Sequence, residues 1–267
     1  MVFLLEIIIL AIIQGISEFV PISSSAHLII FRDIFLIGKN TISPDVALTF
    51  DIALHLGSLM AIVVAFYKDF INILKIKKDY STFLNIVIAT IPAAIFGVLF
   101  EELIDNYIRK RYLLISISLI VVGIVIYFVD RNSKESKKIE DITAFDSFLV
   151  GVSQIFALIP GFSRSGTTIS ALRFLKVNRE DSTKFSFFLA FPVILGAFVF
   201  QLIKIDYEII FLNYYSLVIG TLVSFVIGLF CIKLLLRYVK SNNFKIFMFY
   251  RIIFGFIIMV YLLFNSI

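Results

Sequence analysis

Tryptophan is absent from the 267 residues, cysteine occurs once, and histidine twice, at His27 and His55. A lone thiol, Cys231, excludes an intramolecular disulfide, and one thiol with two imidazoles is too sparse for a zinc cluster. Charge is scarce too: Asp, Glu, Lys and Arg make up 16% of the chain, against about 25% in soluble domains. In their place stand hydrophobic residues, 60% of the sequence, more than a soluble fold of this length hides easily. Four uncharged runs are each long enough to cross a bilayer: Tyr80 to Phe100, Tyr112 to Val129, Phe185 to Ile203 and Ile209 to Ile232. The sequence therefore predicts an all-α, polytopic integral membrane protein.

The first apolar run contains Glu6 and has no basic region before it, so it is expected to belong to the mature fold rather than to a cleaved signal peptide. Six spans are expected at 46–66, 80–100, 112–129, 185–203, 209–232 and 246–265. Basic residues gather at Lys68, Lys75, Lys77 and Lys78; at Arg131, Lys134, Lys137 and Lys138; at Arg173, Lys176, Arg179 and Lys184; and at Lys233, Arg237, Lys240, Lys245 and Arg251. With acids interspersed and spans between them, these clusters read as solvated cytoplasmic faces, not as a nucleic-acid groove. The positive-inside rule then puts loops 67–79, 130–146 and 233–245 inside and loops 101–111 and 204–208 outside, although Arg109, Lys110 and Arg111 pull the other way. Tyr107, Tyr112, Tyr207, Tyr214 and Tyr215 are placed as interfacial anchors.

Two segments fit no simple span. Residues 2–30 are apolar but carry Gln14, Glu18, Pro21, three consecutive serines and His27; residues 147–172 are apolar until Pro160 and then read PGFSRSGTT. Proline and glycine stop helices, and ionisable groups at bilayer depth need a cavity or a partner. Both segments read as helix, break, helix: two broken re-entrant elements. With an echo between the segments around Pro92 and Pro192, each followed by Gly97 or Gly196, they predict inverted halves, 1–129 and 147–267, of a single domain.

In the first segment Gln14 and Glu18 share a helical face, and Ser23, Ser24 and Ser25 line the turn after Pro21, with His27 beyond. The second offers Arg164, a fork of donors suited to phosphate oxygens, flanked by Ser163, Ser165, Thr167 and Thr168, with Gly161 and Gly166 permitting a tight backbone. Any one serine could serve helix packing alone, and Arg164 could be the ion-pair partner of Glu18 or Asp51. Together the segments hold an anion clamp, a carboxylate, candidate nucleophiles and a proton carrier, which suits phosphoryl chemistry. A third polar element, FDIALHLGS, adds Asp51, expected to orient Arg164 or His27, and His55 as a weaker candidate. Gln154 is expected to serve the anion cradle as an uncharged donor.

These motifs closely resemble the undecaprenyl-diphosphatase family, the bacitracin-resistance membrane phosphatases, through QGISEFVPISSSAHL and ALIPGFSRSGTT. The similarity continues through FDIALHLGS, IPAAIFG and FPVILGA. The family's paired acidic motif falls on Gln14 and Glu18, its serine and histidine positions on Ser24 and His27, and its second motif on Gly161, Ser163, Arg164, Ser165 and Thr168. The resemblance implies hydrolysis of undecaprenyl diphosphate, activation by a divalent cation, Mg2+ or Ca2+, and a site opening to the outer face of the cytoplasmic membrane; Glu18, with Gln14 as a weaker uncharged ligand, is expected to hold the cation. Three departures stand out: Gln14 where many members have glutamate, Ala26 for a common glycine and Phe162 for a common threonine.

Three routes remain open for the attack: Ser24 activated by His27 or Glu18, His27 itself, or water with Glu18 as base. The expected partners are a polyprenyl diphosphate lipid and membrane lipids. A homodimer is compatible with the apolar faces, because lipid accepts the same surface as a second chain. The competing class is a lipid-phosphate or small-anion transporter using the same midplane site.

Overall fold

Polar residues at the helix starts decide much of the chain's punctuation. In the computed structural model, which describes residues 2–38, 44–74, 80–203 and 207–265, the first element is α1 (Val2–Ser17), followed by a break and α2 (Ser24–Asp33). Next come α3 (Pro44–Ala65), the short α4 (Tyr67–Leu74), α5 (Tyr80–Leu103) with a π turn after it, and α6 (Tyr112–Asn132). A loop holding one 3₁₀ turn leads to α7 (Ala144–Phe156), a second break and α8 (Arg164–Phe174). The last three are α9 (Arg179–Leu202), α10 (Tyr207–Val239) and α11 (Lys245–Asn265).

Thr143 starts α7 through a capping box: the Asp146 N–H donates to its hydroxyl at 3.1 Å, and its own N–H donates to the Asp146 carboxylate at 3.0 Å. Asn178 starts α9 in the same spirit, its side-chain oxygen accepting from the Asp181 N–H at 2.9 Å.

Among the described residues six helices, α3, α5, α6, α9, α10 and α11, are long and apolar enough to cross a bilayer. The chain is an all-α, multi-pass membrane protein, and the six expected spans fall on these six helices. Two of them outrun the expectation. α9 begins at Arg179 and α10 continues to Val239, because charged residues end an apolar run without ending a helix. At 33 residues, α10 is about 50 Å long at ~1.5 Å per residue, well beyond the roughly 30 Å of hydrocarbon. The opposite holds for α1 and α7, with 16 and 13 residues. Each is about 20–24 Å long, too short to cross alone.

Packing joins the elements crosswise. α1 lies along α10 and α7 along α5; α3 packs on α10 and on α9; α6 pairs with α11; and α8 sits between α6 and α9. Close approach depends on small residues: a Cβ at Gly57 of α3 would collide with the Thr221 carbonyl of α10, and one at Gly151 of α7 would stand 2.7 Å from the Ala89 carbonyl of α5.

Two of the basic residues assigned to solvated faces are instead buried. Arg173 is 1% exposed and bound to Asp130 through Nε at 2.8 Å, while Arg251 is fully buried within α11. Residue type and position along the chain do not distinguish a solvated arginine from one whose donors are satisfied inside. Lys75, Lys77 and Lys78, counted toward the inner face, lie outside the described residues, as does most of the 204–208 loop.

Candidate active site

The two breaks, 18–23 and 157–163, end in the same local structure. Ser23 stands at φ 79° immediately before α2, and Ser163 stands at φ 73° immediately before α8. This left-handed region costs a non-glycine residue free energy and is held only where surroundings over-determine it. In each break the same serine faces another two residues on: Ser23 and Ser25 hydroxyls are 3.3 Å apart, Ser163 and Ser165 hydroxyls 3.2 Å. The hydroxyls then part company. Ser163 caps its helix by accepting from the Gly166 N–H at 3.1 Å, whereas Ser23 reaches across and accepts from the Gly161 N–H at 3.1 Å. Gly161 itself requires glycine, with φ 101° and the Ile115 carbonyl only 2.7 Å from where a Cβ would stand.

Glu18 is where the breaks meet chemically. It follows α1, whose regular helix stops at Ser17, ahead of Pro21. One carboxylate oxygen accepts from the Ser24 hydroxyl at 2.7 Å and from the Gln14 amide at 3.2 Å; the other accepts from an Arg164 Nη at 3.2 Å. The other Arg164 Nη donates to the Ser186 carbonyl at 2.7 Å, which fixes the guanidinium against α9. Thr168 supports it from behind: its hydroxyl bonds the Arg164 carbonyl at 2.8 Å and pairs with the Ser186 hydroxyl at 2.7 Å. Ser165 bridges back to the first break, donating to the Val20 carbonyl at 3.4 Å. Glu18, Ser24, Arg164, Ser23, Ser25, Gly161, Ser163, Ser165 and Thr168 thus come together at one junction.

Arg251 holds the junction from below. Its guanidinium donates to the Pro21 carbonyl at 3.1 Å and to the Gly161 carbonyl at 2.6 Å, one from each break, and to the Leu119 carbonyl of α6 at 3.0 Å. No carboxylate pairs with it among the described residues. A buried arginine satisfied only by carbonyls braces irregular backbone that would otherwise lack donors.

Other residues are placed differently from expectation. Asp51 does not orient Arg164 or His27: it is bound by Arg32 at 2.5 and 3.2 Å and has Arg109 at 3.6 Å. Gln154 does not reach the cradle: its amide donates at 2.8 Å to the Ala89 carbonyl, close to the turn that Pro92 interrupts, and so ties α7 to α5. His27 is 3% exposed and stacked on Phe254, with one ring nitrogen at 2.7 Å from the Ser23 carbonyl and the other at 2.7 Å from the Tyr250 hydroxyl. Both nitrogens are engaged away from Ser24, so His27 shapes the first break. The weaker candidate, His55, is the imidazole at the junction: its Nδ1 lies 2.9 Å from the Gln14 amide and 3.5 Å from Glu18.

Ser186 and Tyr250 are not among the expected site residues, and Arg251 is expected on a solvated face instead. A signal existed for two of them: Ser182 and Ser186 repeat at helical spacing within the α9 run, and Arg251 falls inside the expected 246–265 span. Tyr250 had none.

Among the described residues no three His, Cys, Asp or Glu side chains gather as a metal cluster. The oxygens open to a divalent cation are those of Glu18 and the Gln14 Oε1, which is buried and has no partner while its amide nitrogen is held by Glu18. One carboxylate, one amide oxygen and phosphate oxygens from a substrate make a donor set that Mg2+ commonly accepts, with water completing it.

Comparison with known proteins decides the ancestry: the model of the family described as bacitracin resistance protein BacA matches residues 7–257. The chain belongs to the BacA family. Its relatives in this family include an undecaprenyl-diphosphatase of Caldicellulosiruptor bescii, 41% identical over 98% of both chains. One from Moorella thermoacetica is 38% identical over 93% of this chain and 94% of its own. Another from Neisseria gonorrhoeae is 37% identical over 96% of this chain and 94% of its own. All the elements that build the junction, from Gln14 to Arg251, lie within the stretch that matches BacA.

Proposed function

We propose that this protein is a lipid-carrier phosphatase that hydrolyses undecaprenyl diphosphate to undecaprenyl phosphate and inorganic phosphate, recycling the carrier for envelope polymers such as peptidoglycan. The observation that carries this reading is Glu18 held between a hydroxyl it can deprotonate, on Ser24, and the phosphate-binding fork of Arg164. The names of the BacA relatives and the match across the chain support the substrate. The family description names bacitracin resistance, and the proposed reaction would lower the level of the lipid diphosphate in the membrane.

Arg164, the Ser163 and Ser165 hydroxyls and the N-terminus of α8 bind the terminal phosphate. Ser24 Oγ attacks the terminal phosphorus, the bond to the bridging oxygen breaks, and the serine proton passes to the Glu18 oxygen it already faces. Undecaprenyl phosphate leaves with the bridging oxygen, and Glu18 releases its proton to solvent. Water then attacks the phosphoserine; Glu18 takes a proton from it and returns one to Ser24 as the phosphoester breaks. Arg164 answers the charge developing on the phosphoryl oxygens throughout. Glu18 and Gln14 would hold a divalent cation, Mg2+ or Ca2+, which supplies further neutralisation of the phosphate oxygens when bound.

The same reading makes the two breaks re-entrant tips of inverted halves that meet at mid-membrane, with the site open to the outer face of the cytoplasmic membrane. Crosswise packing supports it, because exchanging α1 with α7, α3 with α9, α5 with α10 and α6 with α11 carries α1 on α10 into α7 on α5 and α3 on α10 into α9 on α5, and returns α3 on α9 and α6 on α11 to themselves. The alignment differs from the Pro92 and Pro192 echo, which would equate α5 with α9.

Phosphate release from undecaprenyl or farnesyl diphosphate by the purified protein in detergent tests the proposal, with the phosphorylated residue trapped by rapid quench and mapped. Label on Ser24 is expected. Label on His27 would displace Ser24 as nucleophile, and transport into vesicles without any hydrolysis in detergent would replace the enzyme with a transporter.

A further inference from the structure

At the end of the molecule that carries the 130–146 loop, two cavities run into one another, sharing Val129 and Phe174. The inner one, about 310 Å³, lies between α6, α7 and α8, with Val121, Val125 and Phe156 on its walls and Phe162 at its far end. It is apolar almost throughout. The outer one, about 410 Å³, is faced by Phe128, Asn132, Ser133, Lys134 and Lys176. A continuous groove therefore changes along its length from hydrocarbon-like to cationic.

The charge at the mouth is not answered from within. Asp130 and Glu135 are taken by Arg173 and Arg179, at 2.8 to 3.3 Å. Lys134 and Lys176 have no carboxylate within ion-pair distance among the described residues.

The mouth is also fixed in shape. Lys176 stands at φ 69°, and its carbonyl accepts from the Ser136 N–H at 3.1 Å and the Lys137 N–H at 3.0 Å; Asn178 N–H returns a bond to the Lys137 carbonyl at 2.9 Å. A bridge between Lys137 and Val177 closes the arrangement. The two lysines are therefore mounted on pinned backbone rather than on a free loop.

We propose that this groove binds one anionic phospholipid of the surrounding bilayer, its phosphate between Lys134 and Lys176 and one acyl chain in the cleft between α6, α7 and α8. Charge complementarity selects the headgroup, since basic pockets between spans draw anionic lipid phosphates. The exposed lips, Phe128, Phe156 and Phe174 at 54%, 53% and 75%, open the cleft to hydrocarbon and give the second chain an apolar surface. The cationic mouth lies apart from the reaction junction, while the inner cleft reaches Phe162 and Thr167 beside Arg164. Arg164 begins α8 and faces Glu18 and Ser186, while Phe174 ends the helix, about 15 Å further along at ~1.5 Å per residue. The lipid phosphate is accordingly placed away from the reacting groups, as a bound component.

Native mass spectrometry and thermal melting of the full chain in non-ionic detergent test the assignment, with phosphatidylglycerol, phosphatidylcholine, inorganic phosphate and undecaprenyl phosphate as probes. Phosphatidylglycerol is expected to stay bound at one copy, to raise the melting temperature, and to bind more tightly than phosphatidylcholine. Lys134→Gln with Lys176→Gln, both on exposed side chains, should weaken phosphatidylglycerol on the order of tenfold and leave phosphatidylcholine unchanged. Val125→Phe, which fills the cleft, should weaken both lipids. Unchanged lipid preference in the double lysine variant would overturn the proposal. Inorganic phosphate binding as tightly as the lipid would remove the acyl-chain half, and undecaprenyl phosphate displacing phosphatidylglycerol at lower concentration would assign the groove to the carrier.

Discussion

The two breaks use one backbone device for opposite chemistry. Each ends on a serine held in the left-handed region with a second serine hydroxyl about 3 Å away, and each opens a short helix. At the residue after that serine the first break places Ser24 and the second places Arg164, and both side chains converge on Glu18. The same local backbone thus presents different side chains: the first break brings an acid and a hydroxyl, the second a cation. Neither break has a complete set.

The largest effect is expected where the second break gives up its cation. Arg164→Ala should lower kcat/KM for the lipid diphosphate about 10³-fold, the scale of losing a principal transition-state donor, and Arg164→Lys should recover only part, because an ammonium has no fork for two oxygens. Activity within tenfold of wild type in folded Arg164→Ala would mean that the two halves do not share the phosphate.

On the first side, Glu18→Gln keeps the shape and removes the base. A loss of about 10²-fold in kcat, with the phosphoserine formed more slowly, is expected; equal loss at every pH in kcat alone would instead point to a purely positional role.

Arg251→Met tests what holds the halves in register. It leaves the Pro21 and Gly161 carbonyls without their donor, so a drop in melting temperature equivalent to about 1–3 kcal/mol is expected, together with roughly tenfold slower turnover by the folded fraction. Arg251→Lys should restore stability more than turnover, since one ammonium cannot reach both breaks as the guanidinium does.

The smallest effect separates the two serines. Ser163→Ala removes a helix cap and should cost about 1 kcal/mol, read as melting temperature. Ser23 caps nothing, and its hydroxyl takes the Gly161 N–H, so Ser23→Ala should disturb the junction at similar cost but with the larger fall in turnover. Identical profiles for the two variants would erase the distinction between them.

The six spans and the two interruptions were legible because hydrophobic length and proline act locally. Gln14 with Glu18 was legible from helical spacing, and the pairing of the SSS and SRS segments from the shared need for polar surroundings. Asp51 misled because Arg32, nineteen residues away, competes for it, and spacing within one helix says nothing about the next. The positions of the two histidines were hidden for a similar reason. His27 is close to Ser24 in the chain but turns to Tyr250 of α11, while His55 arrives at Glu18 from α3. Arg251 was hidden by its type: a basic residue near a span's end is usually solvated, and only tertiary packing supplies carbonyls enough to satisfy it.

That guanidinium also gives the molecule a timetable. The carboxylate, hydroxyl and Arg164 are all made before α11 is, and the clasp joining Pro21 to Gly161 comes from α11. The direct bonds between the breaks, from Arg164 to Glu18 and from the Gly161 N–H to Ser23, need only residues made earlier. The carbonyl clasp is therefore the last of these contacts the growing chain can make.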